Sequence, residues 1–231
     1  VEAIPGVFLL KERALWIPEI SAIVIADVHL GYESGLFPEP FYPKMQIKDV
    51  SERMHTLMEK FSPERVIIDG DLKHEFSSTP YPEFSEVKEF LDVMKGAQIT
   101  LIRGNHDNFI AGYLKKRDVD VKDSLKLGRF FFIHGHEYAH LPEGKITVMG
   151  HEHPVFRIRD EIGGSASFPC FLVSENLIVL PAFSEISGGA DIVRGRFLSD
   201  MAEKHLKNPR IFAIYDGGIM EISGMEALQK F

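Results

Sequence analysis

The residues best equipped for chemistry are polar, and they fall in short clusters, each at the end of an apolar run. Residues 22–29 read Ala-Ile-Val-Ile-Ala-Asp-Val-His, so a buried-strand pattern runs into Asp27 and His29. Side chains alternate along a strand, so these two share a side. Both can then reach one point past the strand's C-terminal edge, where α/β sheets place their ligand sites. A carboxylate and an imidazole converging there could hold a transition metal. The pair is common by itself, and repetition gives it weight. Arg65–Asp69 leads through Gly70 into Asp71 and His74, and Gln98–Ile102 leads through Gly104 into Asn105, His106 and Asp107. Phe130–Ile133 leads into His134 and His136, and Ile146–Met149 leads through Gly150 into His151 and His153. Seven of the ten histidines lie in these clusters, a concentration that five unrelated turns would not produce.

The elements that must position them read as follows. Val7–Leu10 and Ala14–Ile17 form a hairpin leading into a central strand, Ala22–Ala26. Apolar residues at helical spacing over 44–60 and 82–95 predict two amphipathic helices, the second closed by Gly96. Strand–helix–strand order implies parallel crossovers. Gly70 permits a tight turn before Asp71. Three prolines in 34–43 forbid regular helix, leaving a loop beside the site whose Phe37, Phe41 and Tyr42 could face a substrate or simply pack on the domain. Tyr113–Arg117 reads as a solvated helix face. Past Pro154 the pattern changes to short strands with glycine turns (Val155–Ile158, Phe168–Val173, Leu177–Leu180 and a hairpin around Asp216-Gly-Gly), favouring a second, more antiparallel sheet, and a helix is expected within Asp191–Leu206.

Composition bounds the function. The chain has 231 residues, 45% hydrophobic and 26% charged, consistent with one globular domain over 1–231. A net charge of −8 with scattered basic residues does not advertise a long nucleic-acid groove. Cys170 is the only cysteine, which excludes an intramolecular disulfide and a thiolate metal site, and its apolar neighbours predict an inert core thiol. No apolar run approaches membrane-spanning length and no basic-then-apolar leader is visible, so no membrane partner and a cytoplasmic location are expected. Apolar residues in the Pro-rich loop and the C-terminal segment make a homodimer a further expectation.

The motif order Asp27-Val28-His29, Gly70-Asp71-Leu72-Lys73-His74, Gly104-Asn105-His106-Asp107, His134-Gly135-His136 and Gly150-His151-Glu152-His153 resembles the calcineurin-like metallophosphoesterases. The wording around Asp27 and Asp71 is most similar to the branch related to SbcD-type DNA repair nucleases. Length and the Leu180-Pro-Ala-Phe stretch resemble its short ICC-like members, including the ligase-associated phosphoesterases. The resemblance implies an α/β (α+β) fold, a four-layer αββα sandwich of two mixed sheets flanked by helices. It implies two divalent ions, the first held by Asp27, His29, Asp71 and His153, the second by Asp71, Asn105, His134 and His151, with Asp71 bridging. A shared carboxylate offsets repulsion between ions about 3.5–4 Å apart. The N/O donor set suits Mn first, with Fe, Zn or Ni as alternatives.

The expected chemistry is hydrolysis of a phosphodiester in a nucleotide or nucleic acid, by in-line attack of a metal-bridging hydroxide, with His106 as general acid. Asp107, His136 and His74 are expected to orient ligands, anchor the loops or contact phosphate. The family's protein phosphatases carry an arginine at the second motif; here His74-Glu75 stands there, which favours diesters over monoesters. Unlike the long repair nucleases, the sequence shows no evident coiled-coil ATPase-binding region. A phosphomonoesterase and a non-catalytic scaffold are the rival readings. The scaffold is disfavoured because every ligand-motif position and His106 are present.

Overall fold

The computed structural model describes residues 1–33, 44–76, 81–159, 164–185, 189–195 and 197–222. The expected loop aromatics Phe37, Phe41 and Tyr42, together with Arg196 and residues 223–231, lie outside them.

The first sheet contains β1 (Glu2–Ile4), β2 (Val7–Leu10), β3 (Ala14–Ile17), β4 (Ala22–Ile25), β5 (Arg65–Asp69), β6 (Gln98–Ile102) and β7 (Asp120–Lys122), in chain order. β1 to β4 pair antiparallel, and β4 to β7 pair parallel. The crossovers between β4, β5 and β6 are α1 (Met45–Phe61) and α2 (Tyr81–Val93), as the helical periodicity predicts, and the short α3 (Ala111–Lys115) precedes β7. The second sheet begins earlier than the change of pattern at Pro154 suggests. It contains β8 (Leu125–Leu127), β9 (Phe130–Phe132), β10 (Ile146–Met149), β11 (Val155–Arg159), β12 (Ser165–Val173), β13 (Leu177–Val179), β14 (Arg210–Tyr215) and β15 (Gly218–Ile222). Their order is β15-β14-β12-β13-β10-β9-β8, with β11 hairpinned onto the outer half of β12. β9, β10 and β13 form a parallel centre.

The period-two pattern builds the layers. On β4, Ile23 and Ile25 face α1 and α2, packing with Val50, Met54, Leu57, Val87 and Phe90. Ala22 and Val24 face the other way, onto Phe130, Phe132, Val148 and Phe171 of the second sheet. On β12 and β13, Phe171, Val173 and Ile178 join that inter-sheet core, while Cys170, Leu172, Leu177 and Val179 face an outer layer with Met201 and Ala202 of α4 (Asp200–His205). Burying both faces of both sheets gives an αββα sandwich of two mixed sheets. Cys170 is fully buried, as its neighbours predict. Arg210 ties two sheet edges through a bidentate pair with Glu221 (2.7 and 2.9 Å) and a bond to Ala3 O at 2.8 Å. Among the described residues no helix is long and apolar enough to cross a membrane.

Candidate metal centre

β4, β5 and β6 are parallel neighbours, so the first three motifs leave one sheet at one edge. β9 and β10 do the same for the last two. The stacked sheets bring both edges together.

How Asp27 and His29 converge differs from the expectation. β4 stops at Ile25, so strand alternation does not place them. Past the strand the chain stays paired to the second motif: Asp27 N donates to Gly70 O at 3.0 Å, His29 N to Asp71 O at 2.9 Å and Leu30 N to Leu72 O at 3.0 Å. Asp27 (φ 55°), His29 (φ 49°), Asp71 (φ 52°), His151 (φ 68°) and His153 (φ 44°) are all left-handed. That conformation costs roughly 1–2 kcal/mol per L-residue, and such strain concentrates at functional sites. The glycines permit close approach. A Cβ on Gly70 would stand 2.0 Å from His134 Nδ1, and one on Gly104 would stand 2.1 Å from Asp71 Oδ1.

The geometry resolves into groups. Asp27, His29 and His153 offer donor atoms within 4.8 Å of one another, and so do Asp71, His134 and His151. His153 Nε2 lies 3.2 Å from Asp27 Oδ1 and 3.2 Å from His29 Nε2. His134 Nε2 lies 3.3 Å from Asp71 Oδ2. Two donors each about 2.1 Å from a common ion, at angles between square and tetrahedral, stand about 3.0–3.4 Å apart. The residues therefore fit a cation. Asp71 Oδ2 is also 3.8 Å from His29 Nε2, so its carboxylate faces both groups. His134 Nε2 and Asn105 Oδ1 are buried and find no hydrogen-bond partner among the described residues.

Buried neighbours orient these groups. His134 Nδ1 donates to Asp69 O at 2.8 Å, which turns Nε2 toward Asp71. The carboxyl of Asp69 itself is buried, and burial drives its pKa well above the usual range. Asp27 accepts from His151 N at 3.0 and 3.2 Å. Asp107 accepts from Asp71 N (2.8 Å), Leu72 N (2.9 Å) and Gly104 N (2.9 Å), pinning the second and third motifs together. His106 N donates to Asp71 Oδ1 at 2.9 Å. The His106 ring binds the His74 carbonyl through Nδ1, and its Nε2 sits 3.9 Å from Asp71 Oδ2. His74 stacks on His106 at 5.4 Å, and with His29 they form a third group within 4.8 Å. His136 is exposed, with ring centroids 5.3 Å from His134 and 6.3 Å from His151.

Four further positioning residues escape sequence reasoning. Gln46 of α1 donates to Val28 O, His29 O and Ser184 Oγ at 2.9–3.1 Å. Glu83 of α2 accepts from His74 N and Glu75 N, and Glu86 accepts from Gly31 N. Glu152 accepts from Leu198 N, Ser199 N and Ser199 Oγ, tying the His151–His153 loop to the start of α4. Glu152 lies inside a motif and was open to notice. The helical residues carry no signal, because a polar residue on an amphipathic helix reads as solvated.

The electrostatics suit a cation. Burial lowers His29 to about 3 and His151 to about 4. Burial would raise Asp71, but the imidazole of His134 3.3 Å away outweighs it and holds Asp71 below the carboxylate range. Burial likewise opposes a charge on His134, yet the adjacent Asp71 carboxylate raises it to about 10. Neutral imidazoles beside ionised carboxylates are the protonation state that metal binding requires, and an ion would displace the His134 proton.

Three comparisons bear on identity. No curated protein matches the sequence. Among solved structures, the Pseudomonas putida nuclease MPE superposes with a TM-score of 0.71 at 25% identity, covering 94% of each chain. The family model for calcineurin-like phosphoesterases matches residues 20–180, from the start of β4 to the end of β13 and so across all five motifs. The chain belongs to the calcineurin-like phosphoesterases, a family of hydrolases acting on phosphoesters.

Proposed function

We propose that this chain is a phosphodiesterase using two divalent ions and acting on nucleotide or nucleic-acid diesters. The observation that carries the reading is the meeting of two Asp/His groups at one shared carboxylate, Asp71. Asp27, His29, Asp71 and His153 would hold one ion, and Asp71, Asn105, His134 and His151 the other. An N/O donor set without thiolate favours Mn over Fe, Zn or Ni. Bound ions supply Lewis-acid activation of water and charge neutralisation at phosphorus.

The chain's own residues do the rest. Asp107 and Glu152 hold the motif loops in register. Asp71 and Asp27 bring negative charge that offsets the ions. His106 is the general acid. Its Nδ1 proton is committed to the His74 carbonyl, so it donates from Nε2, the nitrogen facing the centre, and must be doubly protonated to do so. After donation it stays oriented by the same carbonyl.

The diester preference rests on the second motif, where His74-Glu75 stands in place of a phosphate-gripping arginine. A diester carries one negative charge rather than two and needs less cationic grip. The description of the P. putida neighbour as a nuclease points the same way. The test compares bis-p-nitrophenyl phosphate with p-nitrophenyl phosphate, with added Mn and with chelator. We expect diester preference that vanishes with chelator and returns with Mn. Monoester preference would move the reading to a small-metabolite phosphatase, and chelator-resistant turnover would end the two-ion mechanism.

A further inference from the structure

A hollow of about 410 Å³ opens beside the His134–His151 group. Gly135 and His136 of the fourth motif line it, and the ring of His136 is 5.3 Å from that of His134. Arg103 also lines it, the residue directly before Gly104-Asn105-His106, so the same loop carries Arg103 and the proposed acid. So does Tyr138, 41% exposed. The volume lies in the range of small-ligand pockets, and its lining takes residues from the fourth motif and from the start of the third motif's loop.

Tyr138 is held ready. Lys204 Nζ donates to its hydroxyl at 2.7 Å and sits 4.6 Å over its ring, and His205 stacks at 6.2 Å. Tyr138 is the common wall of two hollows, and Lys204 lines only the other one. His140 meets the ring edge-on at 5.5 Å, and an exposed aromatic ring already held in place by its neighbours loses little entropy on stacking a base. Arg103 is paired only weakly. Its partner Asp123, at 3.2 Å, has a side chain 85% exposed, and such surface pairs contribute little. A phosphodiester oxygen can take that carboxylate's place, because a guanidinium binds both in the same geometry. Glu137 also lines the hollow, with an 86% exposed carboxylate 4.0 Å from His136 Nε2. The hollow is therefore not strongly basic, and base stacking must carry much of the affinity.

Building on the phosphodiesterase reading, we infer that this hollow is a nucleotide subsite for single-stranded nucleic acid. Tyr138 stacks the base next to the scissile phosphate, and Arg103 contacts the following phosphate. The centre then acts on a polymer rather than only on a free nucleotide or a small diester.

Two readouts test it. The first is the ratio of kcat/KM on a short oligothymidylate to kcat/KM on bis-p-nitrophenyl phosphate, with the Mn-loaded protein. Tyr138→Ala and Arg103→Ala should each lower that ratio about tenfold, a loss in the range measured for single base–aromatic contacts. Tyr138→Phe keeps the ring and should lower it less than threefold. The second is anisotropy of a fluorescent oligothymidylate at low temperature, where the alanine variants should raise Kd by a similar factor. Thermal midpoints serve as the folding control. Wild-type ratios and Kd in both alanine variants overturn the subsite, as does absence of oligothymidylate binding by the wild-type protein. Failure of the underlying reading shows separately, as a wild-type protein that hydrolyses no diester in either assay.

Discussion

Asp107 should be the residue whose loss reveals how the motif loops are held together. It is 2% exposed, and one carboxylate takes three backbone N–H groups. Two of them, Asp71 N and Gly104 N, share Oδ2, while Leu72 N uses Oδ1. Asparagine can place its single oxygen at the Oδ2 position and keep two bonds, setting its amide against Leu72 N. Alanine keeps none and leaves three donors in a buried loop. A bond to a charged acceptor contributes ~1.5–3 kcal/mol, and a stranded donor costs ~1–3 kcal/mol. Against this stands the cost of burying the carboxylate, visible in its pKa, which burial and then Asp71 raise to about 6. Net losses of about 1–2 kcal/mol for Asp107→Asn and about 3–5 kcal/mol for Asp107→Ala follow. Urea midpoints at unchanged slope would report them. Because the pinned loops carry Asp71, Asn105 and His106, metal affinity should fall about 10- to 100-fold in the alanine variant, as for other outer partners of ligands. An alanine variant within about 0.5 kcal/mol of wild type, with unchanged metal affinity by calorimetric titration, would refute this account.

Three other outcomes are expected. His106→Ala should retain both ions and lose about 10²- to 10⁴-fold in turnover of a nucleotide diester. The loss should be smaller on bis-p-nitrophenyl phosphate, whose phenolate leaves without a proton; equal losses on both would remove His106 as the acid. Asp71→Asn should weaken occupancy of both ions by metal analysis, and two ions bound at wild-type affinity would contradict a shared ligand. Glu83 is raised to about 7, chiefly by burial, and its folded-state pKa exceeds the unfolded value of 4.5. The unfolded chain then binds fewer protons between these values, so stability should fall by about 3 kcal/mol as pH rises through that window. Glu83→Gln keeps the Oε1 that accepts His74 N and Glu75 N, so it should flatten that slope, and an unaltered pH profile would discount the titration of Glu83.

What the sequence makes legible here depends on whether the signal is local. Strand runs ending in ligand-type residues are local, so β4, β5, β6, β9 and β10 and the residues after them could be read directly, and the structure gathers those residues at one edge. β1, β7 and β8 are three residues each and, unlike β9 of the same length, carry no unbroken apolar run, so no strand pattern stands out. Which sheet β9 and β10 join depends on the long-range pairing of β10 with β13, which no local pattern encodes. The backbone at Asp27, His29 and Asp71 shows the limit most clearly. Strand alternation puts the first two side chains on one side, and they do meet, but the cause is left-handed backbone at both residues, stabilised by the second motif running alongside. Nothing in Asp27-Val28-His29 alone selects that conformation; Gly70 and Gly104 allow it by letting His134 and Asp71 come within the space a methyl group would fill. The two glycines therefore matter to the centre as much as the side chains they admit. Gly70→Ala and Gly104→Ala should disperse the Asp/His groups and lower metal binding although every donor side chain is retained, and metal affinity equal to wild type in either variant would mean that the loops reach the same geometry by another route.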